Sequence, residues 1–204
     1  GERRPRADRL AWPGPALAAR AEDEAPVAVL MAILAGVDAP GGRLGRVLVA
    51  GPAAPSAVAV REAWLGRGLC QVVVTGDEAS IDPLQQVVRD QVVTLLAQLD
   101  LPAEDPKALP ESEVATAKAM CAVACALAEE DVGATTRRHA TALLIGANLE
   151  REIDFAARVA AVGVADLRRV ARAWFAGDPV IVVDKPRRGD QTALPAPVLP
   201  LALT

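Results

Sequence analysis

Two β-rich runs lie next to each other in the first half of the chain, and the second leads into a long amphipathic helix. The runs are residues 57–64 and 68–75, and Leu65-Gly66-Arg67 between them is typical of a hairpin turn. Apolar residues then recur at helical spacing over 81–99, with Ser80 as the expected cap. The apolar face of such a hairpin and the apolar stripe of the helix can both be buried only if the helix packs on a face of the sheet.

The rest of the chain keeps strands and helices apart in the same way. Before the hairpin we expect a strand over 3–12, a turn at Pro13-Gly14-Pro15 and a second strand over 15–20. Acidic residues and Pro26 open a helix that stops near Gly36. The remaining predicted elements are a short helix at 43–49, long helices at 111–129, 135–148, 150–159 and 164–175, and a strand at 179–183 that returns to the sheet.

This order predicts an α+β fold, a mainly antiparallel sheet with helices packed on one face. The 204 residues are enough for one large domain, and a hydrophobic content of 52% supplies its core. We place the domain at residues 1–185. Residues 186–204 are rich in proline and have little charge, and we interpret them as an extended tail or as an arm that binds a partner.

Composition excludes several classes of function. A net charge of −4 does not indicate nucleic-acid binding. The basic residues near the start are interpreted as the solvated side of a strand, and they are Arg3, Arg4, Arg6 and Arg9. No apolar run approaches the ~20 residues that span a membrane. No secretory signal is recognisable. We therefore expect a soluble protein, in the cytoplasm or the periplasm.

The sequence contains few residues able to do chemistry. Its single histidine, His139, has no evident catalytic partner, and a surface or capping role is expected. Cys121 and Cys125 lie four residues apart on a predicted helix, where their parallel side chains are poorly placed for a disulfide. With Cys70, they are interpreted as small buried apolar residues. No catalytic residue, cofactor site or metal site is predicted.

Three further motifs have simple explanations. Gly41-Gly42 is interpreted as a turn, since no phosphate-binding motif follows it. The acidic run Glu129-Glu130-Asp131 is interpreted as solvated charge at the end of a helix. Arg188-Gly189-Asp190 matches an adhesion tripeptide, and chance is favoured for it in a proline-rich segment.

An ordered series of local matches resembles one half-domain of the pitrilysin/insulinase-type zinc peptidases. The matching segments are AILAGVDAPGGRLGRVLV (32–49), GLCQVVVTGDEASIDPLQQVVRDQVVTLL (68–96), PESEVATAKAM (110–120) and FAARVAAVGVADLRRVARAWFAGDPVIVVDKP (155–186). The family also includes the mitochondrial processing peptidases and the core subunits of the bc1 complex. The resemblance implies the family's α+β half-domain, in which the sheet faces a substrate chamber.

The resemblance fits the C-terminal half-domain better than the N-terminal one. The N-terminal half carries H-x-x-E-H on its first helix, and the corresponding segment here, APVAVLMAIL, has neither histidine nor glutamate. Active C-terminal halves offer an arginine and a tyrosine seven residues apart, and those positions fall on Val49 and Ser56. Pro52 and Pro55 also depart from the family pattern. The resemblance therefore implies a half-domain without catalytic residues.

Two functional hypotheses follow from this resemblance. In the first, the chain is a non-catalytic half-domain that encloses peptide substrate, near residues 43–60 and 68–75, and stabilises a zinc-bearing half-domain, a zinc-bearing subunit or a homodimer partner. In the second, it is a structural or assembly protein of a larger complex that handles no peptide. An enzyme of unrelated chemistry is least favoured, because no reactive constellation is present. The substrate and the partner stay unassigned.

Overall fold

The computed structural model describes most of the chain in seven stretches. They are residues 6–16, 21–37, 41–48, 56–63, 68–76, 78–144 and 154–184. The predicted tail at 186–204 lies outside the described residues.

Four antiparallel strands form one sheet in the described part of the chain. They are β1 (Arg6–Gly14), β2 (Ser56–Ala63), β3 (Gly68–Gly76) and β4 (Val180–Asp184), in the spatial order β2-β3-β1-β4. The predicted hairpin is confirmed as β2 and β3, whose register pairs Ala63 with Gly68. The predicted return of the last strand to the sheet is also confirmed, since β4 pairs with β1.

Seven helices are described. They are α1 (Ala21–Ala35), α2 (Gly42–Val47), α3 (Glu78–Asp100), α4 (Glu111–Glu130), α5 (Val132–Leu144), α6 (Phe155–Ala161) and α7 (Val164–Trp174). The fold is α+β, as the sequence predicts.

Alternation along the central strands determines which face of the sheet meets the helices. Leu10, Trp12, Val72 and Val74 are buried, whereas Arg9, which directly precedes Leu10 in β1, is exposed. Strand side chains alternate between faces, so the buried set lies on the side covered by helices. The three valines at 72–74 lie in an inner strand, as predicted for this β-branched run.

Helix α1 is the centre of the helical layer. It contacts β2 and the helices α2, α4, α6 and α7. Its residues from Val29 to Ala35 are all buried. An apolar helix without a polar face is what a helix enclosed by other elements requires.

Two glycines close the passage from α1 to α2. Gly36 has φ +82° after the end of α1, and its N–H donates to the Ala32 carbonyl. Gly42 has φ +59°, and a Cβ there would lie 2.5 Å from the Ile33 carbonyl oxygen. The predicted turn at Gly41-Gly42 therefore needs glycine for both its backbone conformation and its close approach to α1.

The structure corrects several boundaries. β1 continues through the predicted turn to Gly14, and Pro15 and Ala16 are not in a strand, while the rest of the predicted strand at 15–20 lies outside the described residues. Ser80 is not a cap, because α3 already begins at Glu78. Pro83 therefore lies inside the helix, past its first turn.

The later helices also differ in their limits from the predictions. The described part of the helix predicted at 135–148 begins earlier, at Val132, and residues 145–153 lie outside the described ones. The helix predicted at 150–159 is described only as Phe155–Ala161. Both errors come from the alanine-rich composition, which gives a helical pattern without marking where it starts.

The turn between α7 and β4 is fixed to the first strand by an aromatic side chain. The Trp12 indole N–H donates to the Gly177 carbonyl at 3.1 Å, and the Trp12 ring lies 5.6 Å from the ring of Phe175. Both aromatic residues are buried. This contact brings the end of the chain's helical half back to the sheet, where β4 pairs with β1.

Candidate functional site: the open face of the sheet

One face of the sheet packs on the helices, and the other carries exposed apolar side chains. On β4, Val180 is 68% exposed and Val182 is 51% exposed. Ile181 between them is partly buried against the core. An antiparallel sheet with one solvated face usually places polar residues on that face. The valines of β4 are therefore candidates for an interaction surface.

A single cation lies among these valines. Arg9 is exposed in β1, and its register partners are Val73 on β3 and Val182 on β4. The next residue of β1 on the same face is Ala11, which pairs with Val180. The described part of this surface, called the open face below, combines exposed valines and Arg9 with Gln71, which pairs with Ala11 and is 5% exposed. It can contact an apolar partner or an extended peptide and can offer a guanidinium to a carboxylate.

The resemblance aligns helix α1 with the helix that carries H-x-x-E-H in the catalytic half-domain of the pitrilysin-type peptidases. Here its apolar residues fill the space between the sheet and the outer helices, and Val27, Val29 and Ile33 are at most 1% exposed. The acidic residues Glu22, Asp23 and Glu24 are confined to its first turn. The helix therefore presents no side that combines metal-ligand side chains with access to the open face.

The two positions that the resemblance aligns with the substrate-binding pair of active halves are only partly described. Val49 lies outside the described residues. Ser56 is the first residue of β2 and pairs with Thr75 of β3. Ser56 is therefore placed at the end of an outer strand of the described sheet. The proposed loss of substrate contacts at these positions stays a prediction.

A buried ion pair joins the three elements next to the region implicated by the resemblance. Arg43 of α2 donates from Nε and Nη2 to the two carboxylate oxygens of Glu113 on α4, at 3.1 and 2.7 Å. Nη2 also donates to the Gln98 side chain of α3 at 2.6 Å. The arginine side chain is 8% exposed and the glutamate 13%. Such a forked pair fixes the helices relative to one another.

The electrostatics of Glu113 follow from this environment. Burial acts to raise the pKa of Glu113, but hydrogen bonds from Arg43 and Arg46, with their positive charges, outweigh it and hold the pKa below its usual value. The carboxylate is therefore ionised at neutral pH, and the group has neither the raised pKa of a general acid nor an open position beside it. Its role is structural.

A second buried carboxylate ties α1 to α7. Asp23 is fully buried, pairs with Arg169, and accepts a hydrogen bond from the Trp174 indole N–H at 3.1 Å. The hydrogen bond from Arg169 to Asp23 raises the pKa of this guanidinium. The sequence predicts an N-terminal position for Asp23 in α1, but its partners lie about 150 residues away. No local pattern identifies them.

A third buried carboxylate lies on the helix side of the sheet. Asp8 of β1 is fully buried and accepts a hydrogen bond from the Gln85 side chain of α3 at 2.6 Å. Sequence analysis missed this contact, because an aspartate in a strand with four neighbouring arginines suggests a solvated position. Its position in the register, two residues before Leu10, is the signal that could have placed it on the buried face.

The remaining candidates from the sequence are not brought together. Cys70 and Cys121 are buried and form no disulfide, as predicted, while Cys125 is half-buried. His139 is half-exposed in the middle of α5, so a helix-capping role for it is wrong. The acidic run at the end of α4 is exposed, as predicted. Arg188-Gly189-Asp190 lies outside the described residues.

The described ranges lack two further features. No group of three or more histidine, cysteine, aspartate or glutamate side chains in them could hold a metal ion. None of the helices in these ranges is both long and apolar enough to cross a membrane. The absence of catalytic and metal-binding residues from the whole chain stays a prediction.

No protein-family model and no curated protein matches the sequence. Solved structures do match the fold. One is described as the inactive peptidase domain of a proposed zinc protease from Bordetella parapertussis, with TM-score 0.69 and 18% identity over 90% of this chain and 93% of that chain. Another, named as a proposed zinc protease from Bordetella pertussis Tohama I, has TM-score 0.65 and 18% identity over 90% and 94%.

A protease from Helicobacter pylori is also similar, with TM-score 0.66 and 16% identity, and the match covers 90% of this chain but 42% of that chain. The same fold therefore occurs both as nearly the whole of a solved chain and as less than half of a longer one. At these identities the similarity defines the fold alone. The chain has the fold of these protease domains.

Proposed function

We propose that the chain is a non-catalytic half-domain of a pitrilysin-type metallopeptidase. In this proposal it forms one wall of the substrate chamber and stabilises a half-domain or subunit that carries H-x-x-E-H and zinc. The reaction, hydrolysis of peptide bonds, takes place on the partner's metal. This chain contributes surface, orientation and the exclusion of water.

The observation that carries the proposal is the open face. The described helices pack on one side of the sheet, and Val180 and Val182 are exposed on the other. Exposed apolar side chains grouped on one surface indicate a surface that is covered in the functional state. A second wall placed opposite this face would bury the valines and leave Arg9 available to a substrate carboxylate or an acidic residue of the partner.

The rigidity of the helical layer supports the same role. The pair Arg43–Glu113 and the pair Asp23–Arg169 join helices that are distant in sequence. A wall that closes on a catalytic partner must keep its shape without that partner's contacts. The description of a Bordetella parapertussis domain with this fold as inactive agrees with a role that needs no chemistry of its own.

The test is reconstitution with the H-x-x-E-H-bearing half-domain of the same organism. We expect a complex by gel filtration, a higher rate of peptide cleavage than the partner alone shows, and loss of that activity with a chelator. Val182→Lys on the open face should weaken the complex. Val93→Lys on α3, where the valine is 65% exposed, is the matched control and should not.

The outcomes separate the two functional hypotheses. If no complex forms and no activity is gained, the proposal is wrong. A stable complex without peptide cleavage would instead favour the structural or assembly role. Equal effects of Val182→Lys and Val93→Lys would show that the open face is not the contact surface.

A further inference from the structure

One buried polar side chain of the described residues has no hydrogen-bond partner among them. The buried polar and charged residues are Asp8, Asp23, Arg43 and Gln71. The first three make hydrogen bonds to other elements. Gln71 is 5% exposed, and its side-chain amide makes no hydrogen bond in the part of the chain that the structure describes. Since buried amides are almost always paired, this side chain needs a partner that the described residues do not supply.

Strand alternation places Gln71 on the open face. Its neighbours in β3, Cys70 and Val72, are fully buried on the helix side, and successive side chains of a strand point to opposite faces. Gln71 pairs with Ala11, which pairs on its other side with Val180. These three residues form one row across the face. The side chain of Ala11 is a single methyl group, so the middle of this row is low.

The next row on the same face contains a cation. Its members are the register partners Val73, Arg9 and Val182. Arg9 is exposed, and in the described ranges it forms no ion pair with a carboxylate. A guanidinium and the amide of Gln71 therefore lie on neighbouring rows of one surface, and neither has a partner within the described residues.

The spacing of the two groups matches that of an extended peptide. Arg9 and Gln71 are diagonal neighbours on β1 and β3, and such positions are about 7–8 Å apart. An extended chain advances about 6.6–6.8 Å over two residues. A guanidinium donates two parallel hydrogen bonds to a carboxylate, while a carboxamide matches the N–H and C=O of one peptide unit. One peptide can thus present an acidic side chain to Arg9 and backbone to Gln71.

We propose that Arg9 and Gln71 are specificity-determining residues that bind an acidic side chain of a peptide substrate and the backbone beside it. Val180 and Val182 contact the apolar side chains that flank the acidic one. This assignment rests on the proposed function, because the chamber role supplies the peptide. It adds the substrate class, which is extended peptides with aspartate or glutamate between apolar residues.

The charge of the whole chain does not favour such a peptide. The net charge is −4, so the long-range field of the protein repels an acidic ligand. A preference for a glutamate peptide over its glutamine counterpart therefore requires a local cation. This makes the preference a specific readout of Arg9.

Fluorescence anisotropy with the full chain alone tests the site. The probes are two labelled, end-capped peptides of about eight residues, rich in valine and threonine, which differ only in a central glutamate or glutamine. The glutamate peptide should bind about tenfold more tightly, and Arg9→Gln should abolish this preference. Arg137→Gln removes the same charge from an exposed position on α5, which packs on α4, and should leave the preference unchanged.

Gln71→Met separates peptide binding from a structural role. Methionine is similar in size but cannot pair with a peptide unit, so binding of both peptides should weaken at least about threefold. Because Gln71 has no partner in the described part of the fold, the melting temperature should stay within about 2 °C or rise. A clearly lower melting temperature would mean that the amide is satisfied inside the fold and would overturn the proposal. Equal affinity of the wild type for the two peptides, or binding of neither, would also overturn it.

The test does not depend on the zinc-bearing half. If reconstitution with that half fails but the chain alone keeps the glutamate preference, only the proposed function is wrong, and the site of Arg9 and Gln71 stands. If a reconstituted complex binds and cleaves the two peptides equally well, the chamber role stands and the site is wrong.

Discussion

Helices α1 and α4 are both rich in alanine and valine, but the structure uses them differently. Helix α1 is enclosed by β2 and four other helices, and its central residues are buried on all sides. Helix α4 is buried on one side, while Val123 and Leu127 on the other are exposed. The sequence gives no clear warning of this difference, since neither helix has a strong polar stripe.

The comparison shows that an apolar helix can have two purposes in one fold. In α1 the apolar surface makes the core of the domain. In α4 half of that surface is available for a contact that the described residues do not supply. The open face of the sheet has the same property, and both surfaces lie at the outside of a core that is complete without them.

Substitution of Glu113, on the buried side of α4, should cause the largest loss of stability. Glu113→Ala leaves Arg43 buried without its carboxylate and should lower the free energy of unfolding by about 3–5 kcal/mol. Urea denaturation measures it. Glu111→Ala, in the same helical turn but exposed, is the control and should cost less than about 1 kcal/mol. Equal losses in the two variants would contradict a structural role for the pair.

The pair of Arg43 and Glu113 also predicts that the free energy of unfolding depends on pH. The pKa of Glu113 is lower in the folded protein than its ordinary value of 4.5, so the pair stabilises fully above that pH. Its contribution is lost as the pH falls through the folded pKa. The difference in unfolding free energy between the wild type and Glu113→Gln should therefore narrow below pH 4.5. A constant difference down to acid unfolding would show that ionisation of Glu113 is irrelevant.

Matched leucines compare the two helices directly. Leu34→Ala in α1 removes a side chain that is 2% exposed and should cost about 2–5 kcal/mol. Leu127→Ala on the exposed side of α4 should cost no more than about 1 kcal/mol. Thermal or urea unfolding measures both. A larger loss for Leu127→Ala than for Leu34→Ala would break the distinction between core and contact surface.

Substitution of Gly42, at the start of α2, should cause a smaller loss of stability. Gly42→Ala places a Cβ against two carbonyl oxygens at the end of α1 in a left-handed conformation, and we expect a loss of about 1–3 kcal/mol. Gly177→Ala, where a Cβ would meet nothing within 4 Å, is the control. If both substitutions are neutral, the close approach of α2 to α1 is not required.

The smallest effect expected is a difference in thiol reactivity between Cys121 and Cys125, which are neighbours on one side of α4. Burial, and then the neighbouring Cys125, raise the pKa of the Cys121 thiol to about 11. Its thiolate is scarce at pH 8, so a disulfide reagent should label the half-buried Cys125 first. Mass spectrometry of a time course after digestion identifies the site. Faster labelling of Cys121 would mean that the inner side of α4 opens readily.

Much of the fold could be predicted because local signals agree with it. The hairpin of β2 and β3, the limits of α4 and the return of β4 to the sheet follow from β-branched runs, glycine turns and helical spacing. Two predictions were wrong where the structure describes the residues: Pro15 and Ala16 are not in a strand, and Ser80 does not cap α3. There, proline and serine marked possible boundaries, but strand pairing and the first turn of α3 extended through them.

The candidate site was less predictable, for a physical reason. Asp23, Arg43 and Asp8 are buried through partners on other elements, and a charged residue with a distant partner looks the same in sequence as a solvated one. The exposure of Val182 likewise depends on which face of the sheet the helices cover. Only the tertiary arrangement fixes these properties.

The measurement that tests the central claim most directly is zinc content and peptidase activity of the purified chain alone. We predict much less than one zinc per chain and no peptide cleavage that a chelator abolishes, because the chemistry belongs to the partner. One zinc per chain, or chelator-sensitive cleavage by the chain alone, would contradict the proposal that it is a non-catalytic half-domain.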